Sequence, residues 1–204
     1  MWDKKILAIS DSSCVEGDFL THLARLVRAG VDGVVLRERG LSEDEYFDAA
    51  REVLKICKKH GATCILHYFD RQALRLNHRY FHAPLPLLRQ EARLRRHFHI
   101  LGTSVHSKEE LLEAVNYGVN YAFAGHIFES SCKEGLEGRG VEFLKSLLQF
   151  SPIPLYAIGG VRLENIAIFQ NLSVAGVCMR EALMRKMELK DYLKLCKKGL
   201  IGVS

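Results

Sequence analysis

Short apolar segments alternate with longer amphipathic segments along the whole chain. Each short segment is a run of four to eight apolar or β-branched residues, and such runs are typical of buried strands. The chain therefore predicts eight strands, at Ile6–Ser10, Gly33–Arg37, Thr63–Tyr68, Tyr80–Ala83, His99–Ser104, Tyr121–Phe128, Pro154–Ile158 and Ala175–Met179.

The longer segments carry apolar residues at helical spacing and predict the helices between the strands. Ser107 followed by Glu110 indicates a capping box at the start of one of them. The helix between the third and fourth strands is short, with barely two turns. The predicted helices are Asp18–Ala29, Glu43–His60, Arg71–Leu76, Ser107–Tyr117, Val141–Phe150, Leu163–Gln170 and Glu181–Lys197.

Strands that alternate with helices through short polar turns are typical of parallel βαβ units. Eight strands in this arrangement predict an α/β fold, a closed (β/α)8 TIM barrel that forms a single domain over residues 1–204. An open doubly wound sheet is the alternative. No GxGxxG or P-loop pattern follows the first strand, which disfavours the nucleotide-binding form of that alternative.

Composition narrows the functional classes. A formal net charge of +5 is compatible with an anionic substrate and too small to indicate nucleic acid. The basic run from Arg89 to His97 has no interleaved aromatic residues and is interpreted as a solvated helix face. No apolar run is long enough for a membrane span, and the six scattered cysteines are typical of a reduced protein. With no secretory signal at the N-terminus, we expect a cytoplasmic location and neither membrane nor nucleic-acid partners.

Polar residues collect where the predicted strands end, which is where TIM barrels keep their active sites. His126 follows the sixth strand, and histidine both accepts and returns protons near neutral pH. We therefore predict His126 as the acid–base residue. The alternative is that His126 is a structural histidine of the core or the rim.

Several other residues suit an anionic ligand. Arg37 and Arg39 share strand parity and are predicted to point inward, where guanidinium groups bind carboxylate or phosphate. Gly159 and Gly160 let backbone amides approach a phosphate closely. Ser104 ends the fifth strand, and Lys133 lies with Arg139 in a glycine-containing loop able to close over a ligand. The histidines near residues 78–82 and 97–99 have no third ligand at a diagnostic spacing, so no metal site is predicted.

These motifs together resemble the thiamine phosphate synthase/TenI family. The resemblance rests on Leu36–Arg39, Gly102–Ser107, the stretch GHIFESSCKEGLEGRG at 125–140 and Ala157–Val161, in that order. It covers nearly the whole chain, and the 125–140 stretch is its most specific part. It implies a TIM barrel, usually a homodimer, that acts on a phosphorylated thiazole in thiamine biosynthesis.

Within this family the residues look closer to the thiazole tautomerase TenI than to the synthase. The synthase pattern has glutamine where this chain has Val35, and acidic magnesium ligands where it has His67-Tyr68 and Ala83–Leu85. Gly125-His126 is similar to the TenI motif. The resemblance thus implies a tautomerase that needs no metal and no other cofactor, with phosphate held by Gly159, Gly160 and backbone groups near Met179 and Arg180. Mg²⁺ is expected only if the chain is a synthase.

The chain also departs from the family pattern. Arg180 and Glu181 stand where the family usually has small residues, so Arg180 either adds charge to the phosphate site or fills it. The region from His67 to Pro86 resembles neither branch. Three hypotheses therefore remain: a metal-independent tautomerase, a Mg²⁺-dependent thiamine phosphate synthase, and a non-catalytic thiazole-phosphate binder or regulator.

Overall fold

The computed structural model describes residues 4–129 and 135–202. Eight parallel strands form a closed barrel, in which the first strand pairs with both the second and the eighth. The closed barrel confirms the predicted fold class. The strands are β1 (Lys5–Ile9), β2 (Gly33–Leu36), β3 (Thr63–His67), β4 (Tyr80–His82), β5 (Ile100–Val105), β6 (Tyr121–Gly125), β7 (Leu155–Ile158) and β8 (Gly176–Met179).

Helices surround the barrel and connect successive strands. They are α1 (Phe19–Arg28), α2 (Glu43–His60), α3 (Asp70–Arg75), α4 (Leu85–Gln90), α5 (Lys108–Asn116), α6 (Gly140–Phe150), α7 (Glu181–Met184) and α8 (Leu189–Ile201). Short 3-10 helices lie at Ser12–Cys14, Leu94–Arg96 and Ile166–Phe169. The predicted solvated helix at 89–97 is therefore the end of α4, a turn and a 3-10 helix.

Seven strands begin and end within one residue of their predicted bounds. The exception is β6, which ends at Gly125 and not at Phe128. Beyond Gly125 the chain is held by the end of β7, since Ile127 N donates to Ile158 O at 2.9 Å and Phe128 N donates to Gly159 O at 3.1 Å. These bonds bring the segment after β6 against the loop after β7.

Alternating strand residues build two cores. One set packs inside the barrel: Leu7, Ile9, Val35, Ile65, Tyr121, Phe123 and Cys178. The other set faces outward and packs against the helices, including Ile6, Val34, Leu66, Phe81 and Met179. Because side chains alternate along a strand, the inward set defines which strand-end residues point into the mouth of the barrel.

Two predicted helices differ from the structure. The segment Leu163–Gln170 contains only the 3-10 helix Ile166–Phe169. The segment Glu181–Lys197 divides into α7 and α8, and Arg25 Nη2 donates to the carbonyl of Met187 in the break. Neither segment contains a glycine or proline that would predict the end of a helix, so tertiary contacts determine where both helices end.

Helix α5 begins as predicted, with Ser107 Oγ accepting from Glu110 N at 3.1 Å. The carboxylate of Glu110 accepts from His106 N instead of closing the predicted capping box. A complete capping box occurs at the start of α2, between Ser42 and Glu45. No helix in the described ranges is long and apolar enough to cross a membrane.

Candidate active site

Two adjacent cavities lie at the C-terminal end of the barrel. The cavity that contains His126, here called the His126 cavity, has a volume of about 630 Å³ and extends over the ends of β6, β7 and β8. The larger one, the His67 cavity, has a volume of about 720 Å³ and extends over β3 and β4. Three residues line both cavities: Arg39, Ser104 and His106.

The His126 cavity brings together most of the predicted site residues. It is lined by Arg37, Arg39, Ser104, His126, Gly159, Gly160 and Arg180, and also by Ile9, His106, Gly125, Glu129, Ile158, Val161, Arg162, Cys178, Glu181 and Ala182. Four arginines and two glutamates are in this set, so positive charge predominates and the cavity suits an anionic ligand.

His126 is 7 % exposed, and its Nε2 lies 3.0 Å from the carbonyl oxygen of Glu137. A carbonyl only accepts, so Nε2 carries a proton, and in the neutral ring the lone pair is on Nδ1. Nδ1 is buried and has no hydrogen-bond partner within the described ranges. Arg139 N also donates to His126 O at 2.9 Å, so both the side chain and the backbone of His126 are tied to the returning loop.

The end of β2 is fixed by a buried carboxylate. Glu38 is 6 % exposed and accepts from Ser10 Oγ at 2.6 Å and from Ser12 Oγ at 2.7 Å. Ser10 Oγ in turn accepts from Arg37 N at 2.8 Å. Glu38 therefore pairs with neighbours that follow β1, while Arg37 and Arg39 face the cavity as their parity predicts.

Gly159 and Gly160 allow the ends of β6 and β7 to touch. A Cβ on Gly159 would lie near His126 Cβ, and one on Gly160 near Glu129 O, both closer than real Cβ atoms come to other atoms. Both residues also have positive φ, +103° and +63°. Glycine is required at both positions for two reasons, backbone conformation and space.

Arg180 lines the cavity and forms an ion pair with Asp11, which follows β1. Burial alone would raise the pKa of Asp11, but hydrogen bonds from Ser13 and Arg180 outweigh it and lower that pKa below its usual value. Arg180 therefore adds charge to the site, and a carboxylate partly neutralises it.

Three other residues of the predicted binding site are placed elsewhere or not described. The side chain of Met179 packs in the outer core, and Met179 is not among the residues that line the cavity. Arg139 lies over the ring of Phe143, 5.4 Å from its centroid, and also does not line the cavity. Lys133 lies outside the described residues.

A stack of aromatic rings inside the barrel is not among the predicted site residues. The rings of His67 and His82 stack at 5.5 Å, and His82 stacks on Phe123 at 4.2 Å. Burial and the positive charge of Arg39 lower the pKa of His82 to about 3, and burial with the neighbouring His82, Arg39 and Arg37 lowers the pKa of His67 well below its usual value. Both rings are therefore neutral at pH 7. Strand parity was the available signal, since inward Tyr80 predicts inward His82.

The described residues do not provide the donor set of a magnesium site. No group of three His, Cys, Asp or Glu side chains in the described ranges is arranged to hold a metal ion. Three acids line the His67 cavity, Asp70, Glu43 and Glu110. Glu43 already accepts from Gln72 Nε2 at 2.7 Å, and Glu110 accepts from His106 N at 2.6 Å. A hard cation such as Mg²⁺ prefers several oxygen ligands, which this cluster does not offer.

Comparison with known proteins places the chain among enzymes of one family. The family model TMP-TENI, described as "Thiamine monophosphate synthase", matches residues 6–183. The chain is 27 % identical to the thiamine-phosphate synthase of Fusobacterium nucleatum, over 94 % of this chain and 95 % of that protein. It is 29 % identical to the putative thiamine-phosphate synthase 2 of Aquifex aeolicus, over 86 % of this chain and 96 % of that protein.

Solved structures show the same fold. The thiamine phosphate pyrophosphorylase of Pyrococcus furiosus superposes with a TM-score of 0.83 at 20 % identity, covering 98 % of this chain and 96 % of that one. A geranylgeranylglyceryl phosphate synthase of Thermoplasma acidophilum superposes with a TM-score of 0.71 at 12 % identity, covering 98 % and 94 %. At these identities the likeness supports the barrel fold alone.

Proposed function

Because the chain belongs to the TMP-TENI family of thiamine monophosphate synthases, we propose that it is an enzyme of thiamine biosynthesis that acts on a phosphorylated thiazole. The His126 cavity, at about 630 Å³, has the volume of a small-molecule site. Its surplus of arginines suits a ligand with a phosphate or carboxylate group.

The relatives favour a transferase over a tautomerase. The similar proteins are named thiamine-phosphate synthase and align over nearly the whole chain. One feature of the structure supports this candidate, since two cavities that share Arg39, Ser104 and His106 offer room for two substrates side by side. Against it stands the donor set at β3 and β4, which does not fit the magnesium ion that the synthase branch is expected to use.

The residues of the His126 cavity support proton transfer better. A tautomerase moves a proton from one carbon of a thiazole carboxylate phosphate to another, and the ring becomes aromatic. His126 supplies an imidazole at this cavity, with Nε2 bound to Glu137 O and with Nδ1 as the ring nitrogen that has no partner in the described ranges. Arg37, Arg39 and Arg180 line the same cavity and supply positive charge for the two anionic groups. We therefore propose thiazole tautomerase as the activity, carried by the placement and tautomer of His126.

One experiment separates the candidates. The protein, treated with EDTA, is incubated with the exocyclic-alkene thiazole carboxylate phosphate, and aromatisation is followed by proton NMR. We expect conversion by the wild type and by the control His99→Ala, whose side chain is exposed. His126→Ala should be slower by about 100-fold or more, the usual contribution of an acid–base group.

A parallel assay supplies hydroxymethylpyrimidine pyrophosphate, thiazole phosphate and Mg²⁺ and measures pyrophosphate release. Release without any aromatisation would replace the tautomerase with the transferase. Tight binding of thiazole phosphate with neither reaction would leave a non-catalytic binder.

A further inference from the structure

Three side chains form a hydrogen-bonded line through the interior of the barrel. His82 Nε2 lies 2.9 Å from Ser104 Oγ, and His82 Nδ1 lies 3.1 Å from the hydroxyl oxygen of Tyr121. Ser104 lines both cavities at the C-terminal end. Tyr121 lines a separate cavity of about 560 Å³ among the first residues of the strands, at the opposite end. The line therefore connects the active-site mouth with the bottom of the barrel.

The imidazole in the middle of this line is held in one orientation. His82 is 1 % exposed and stacks with the ring of Phe123, at 4.2 Å and 22°, and with the ring of His67, at 5.5 Å and 19°. Two stacked neighbours in a buried position fix the ring plane, so its two nitrogens stay directed at Tyr121 and Ser104. The lowered pKa of His82 means that it carries one ring proton at neutral pH.

The partners decide which nitrogen carries that proton. Tyr121 is 6 % exposed, and His82 Nδ1 is the only hydrogen-bond partner of its hydroxyl within residues 4–129 and 135–202. If Nδ1 carried the proton, the phenol hydrogen would have no acceptor among the described residues, and a buried donor without an acceptor costs about 1–3 kcal/mol. Nδ1 therefore accepts from Tyr121, and Nε2 donates to Ser104 Oγ.

The tautomer of His82 determines what the Ser104 hydroxyl offers to a ligand in the two cavities that it lines. Ser104 Oγ accepts from His82 and has no other partner within the described ranges, so its own hydrogen is available to a ligand. We propose that Tyr121 and His82 are positioning residues that fix the Ser104 hydroxyl as a hydrogen-bond donor, and that Ser104 thereby selects an acceptor group such as a carboxylate or phosphate oxygen. This inference holds for either activity of the site, since the tautomer is a property of the protein itself.

The tautomer of His82 is measured directly. In protein labelled with ¹⁵N-histidine, two-bond proton–nitrogen correlations distinguish Nε2–H from Nδ1–H, and the His82 signals are assigned by their loss in His82→Gln. We expect Nε2–H in the wild type. Tyr121→Phe removes the donor to Nδ1 and should produce a mixture of tautomers.

The matched control is Tyr156→Phe, which removes a hydroxyl from the ring 5.8 Å from Tyr121 but none from the line. It should keep the wild-type tautomer. Nδ1–H in the wild type would overturn the proposal, as would an unchanged tautomer in a folded Tyr121→Phe. If Tyr121→Phe does not fold, the wild-type spectrum decides alone.

The donor role of Ser104 is tested with inorganic pyrophosphate, whose oxygens are mainly acceptors. By calorimetry we expect Ser104→Ala to weaken pyrophosphate binding about fivefold, the effect of one hydrogen bond, and Tyr156→Phe to leave it unchanged. Equal affinities of the wild type and Ser104→Ala would overturn the assignment of Ser104 as an anion donor.

Discussion

At the scale of single residues, the site depends on buried polar groups just behind the side chains that line the cavity. Glu38 illustrates this, because it faces away from the cavity and yet fixes the backbone of Arg37 through Ser10. The sequence predicts the inward parity of Arg37 and Arg39. It does not identify Ser10 and Ser12 as the partners of Glu38, because they precede it by 28 and 26 residues and only the β1–β2 pairing brings them together.

Glu38→Gln should therefore weaken both stability and ligand binding. The amide nitrogen that replaces one carboxylate oxygen cannot accept from Ser10 or from Ser12, and one buried donor is left unsatisfied. We expect a loss of about 1–3 kcal/mol in the free energy of unfolding, measured by urea denaturation. The control is the exposed Glu16→Gln, which should behave as the wild type. Equal stabilities of the two variants would contradict this role of Glu38.

His82 predicts a specific dependence of stability on pH. Its pKa falls from 6.5 to about 3 on folding, chiefly through burial, so between these values only the unfolded chain binds the proton. Stability from this source is full above about pH 6.5 and decreases as the pH falls towards 3. At pH 5 the loss is about 2 kcal/mol.

Urea denaturation at pH 7.5 and pH 5 measures this loss. The fall in stability between the two pH values should be about 2 kcal/mol smaller in His82→Gln, because that variant has no imidazole to protonate. The exposed His99→Gln should keep the wild-type fall. An identical fall in all three proteins would show that His82 is not the buried neutral group.

At the scale of elements, the contact between the ends of β6 and β7 positions His126. Gly159→Ala should disturb this contact, because its Cβ would overlap His126, and it should also strain the backbone at φ +103°. Gly30→Ala separates backbone strain from steric overlap. Gly30 has φ +97°, so an alanine there is strained, but its methyl group would have no atom within 4 Å. Both alanine variants should lose about 1–3 kcal/mol of stability from backbone strain.

Only Gly159→Ala should also lose catalysis. A displacement of His126 by about 1 Å is enough to reduce turnover about 100-fold. Turnover is measured in the aromatisation assay under conditions in which both variants are folded. A Gly159→Ala variant as active as Gly30→Ala would mean that the β6–β7 contact does not position the reacting group.

The elements also show where sequence patterns stop being sufficient. Strand bounds are predictable because the inner and outer cores impose alternation on every strand. The segment after β7 is different, since Asn165 Nδ2 donates to Gly160 O and Leu163 N donates to the hydroxyl of Tyr192. These contacts hold the segment in a loop where apolar spacing alone predicts a helix.

At the scale of the whole molecule, the barrel gathers residues that are distant in sequence into two neighbouring cavities. The sequence predicts seven of the residues that line the His126 cavity, because strand ends of a closed barrel meet at one mouth. It does not predict the ring stack of His67, His82 and Phe123, because these side chains come from three strands and meet only when the barrel is closed. The homodimer and the cytoplasmic location stay predictions.

The ion pair between Asp11 and Arg180 spans the point where the barrel closes, because Asp11 follows β1 and Arg180 follows β8. Its two side chains are 16 % and 19 % exposed, so bulk water screens their charges only partly. The carboxylate therefore reduces the attraction of Arg180 for an anion in the His126 cavity.

Removing this carboxylate should strengthen anion binding. We expect Asp11→Asn to bind inorganic phosphate about fivefold more tightly at low salt, equivalent to roughly 1 kcal/mol of Coulomb energy, and to lose most of this gain at high salt. Titration calorimetry at two ionic strengths measures both effects. Asp48→Asn on α2 changes the net charge equally at an exposed position and should leave the affinity unchanged. Weaker binding by Asp11→Asn would show instead that Asp11 is needed to hold Arg180 in place. In that case the contact between the ends of β1 and β8, more than net charge, would determine the affinity of the cavity for anions.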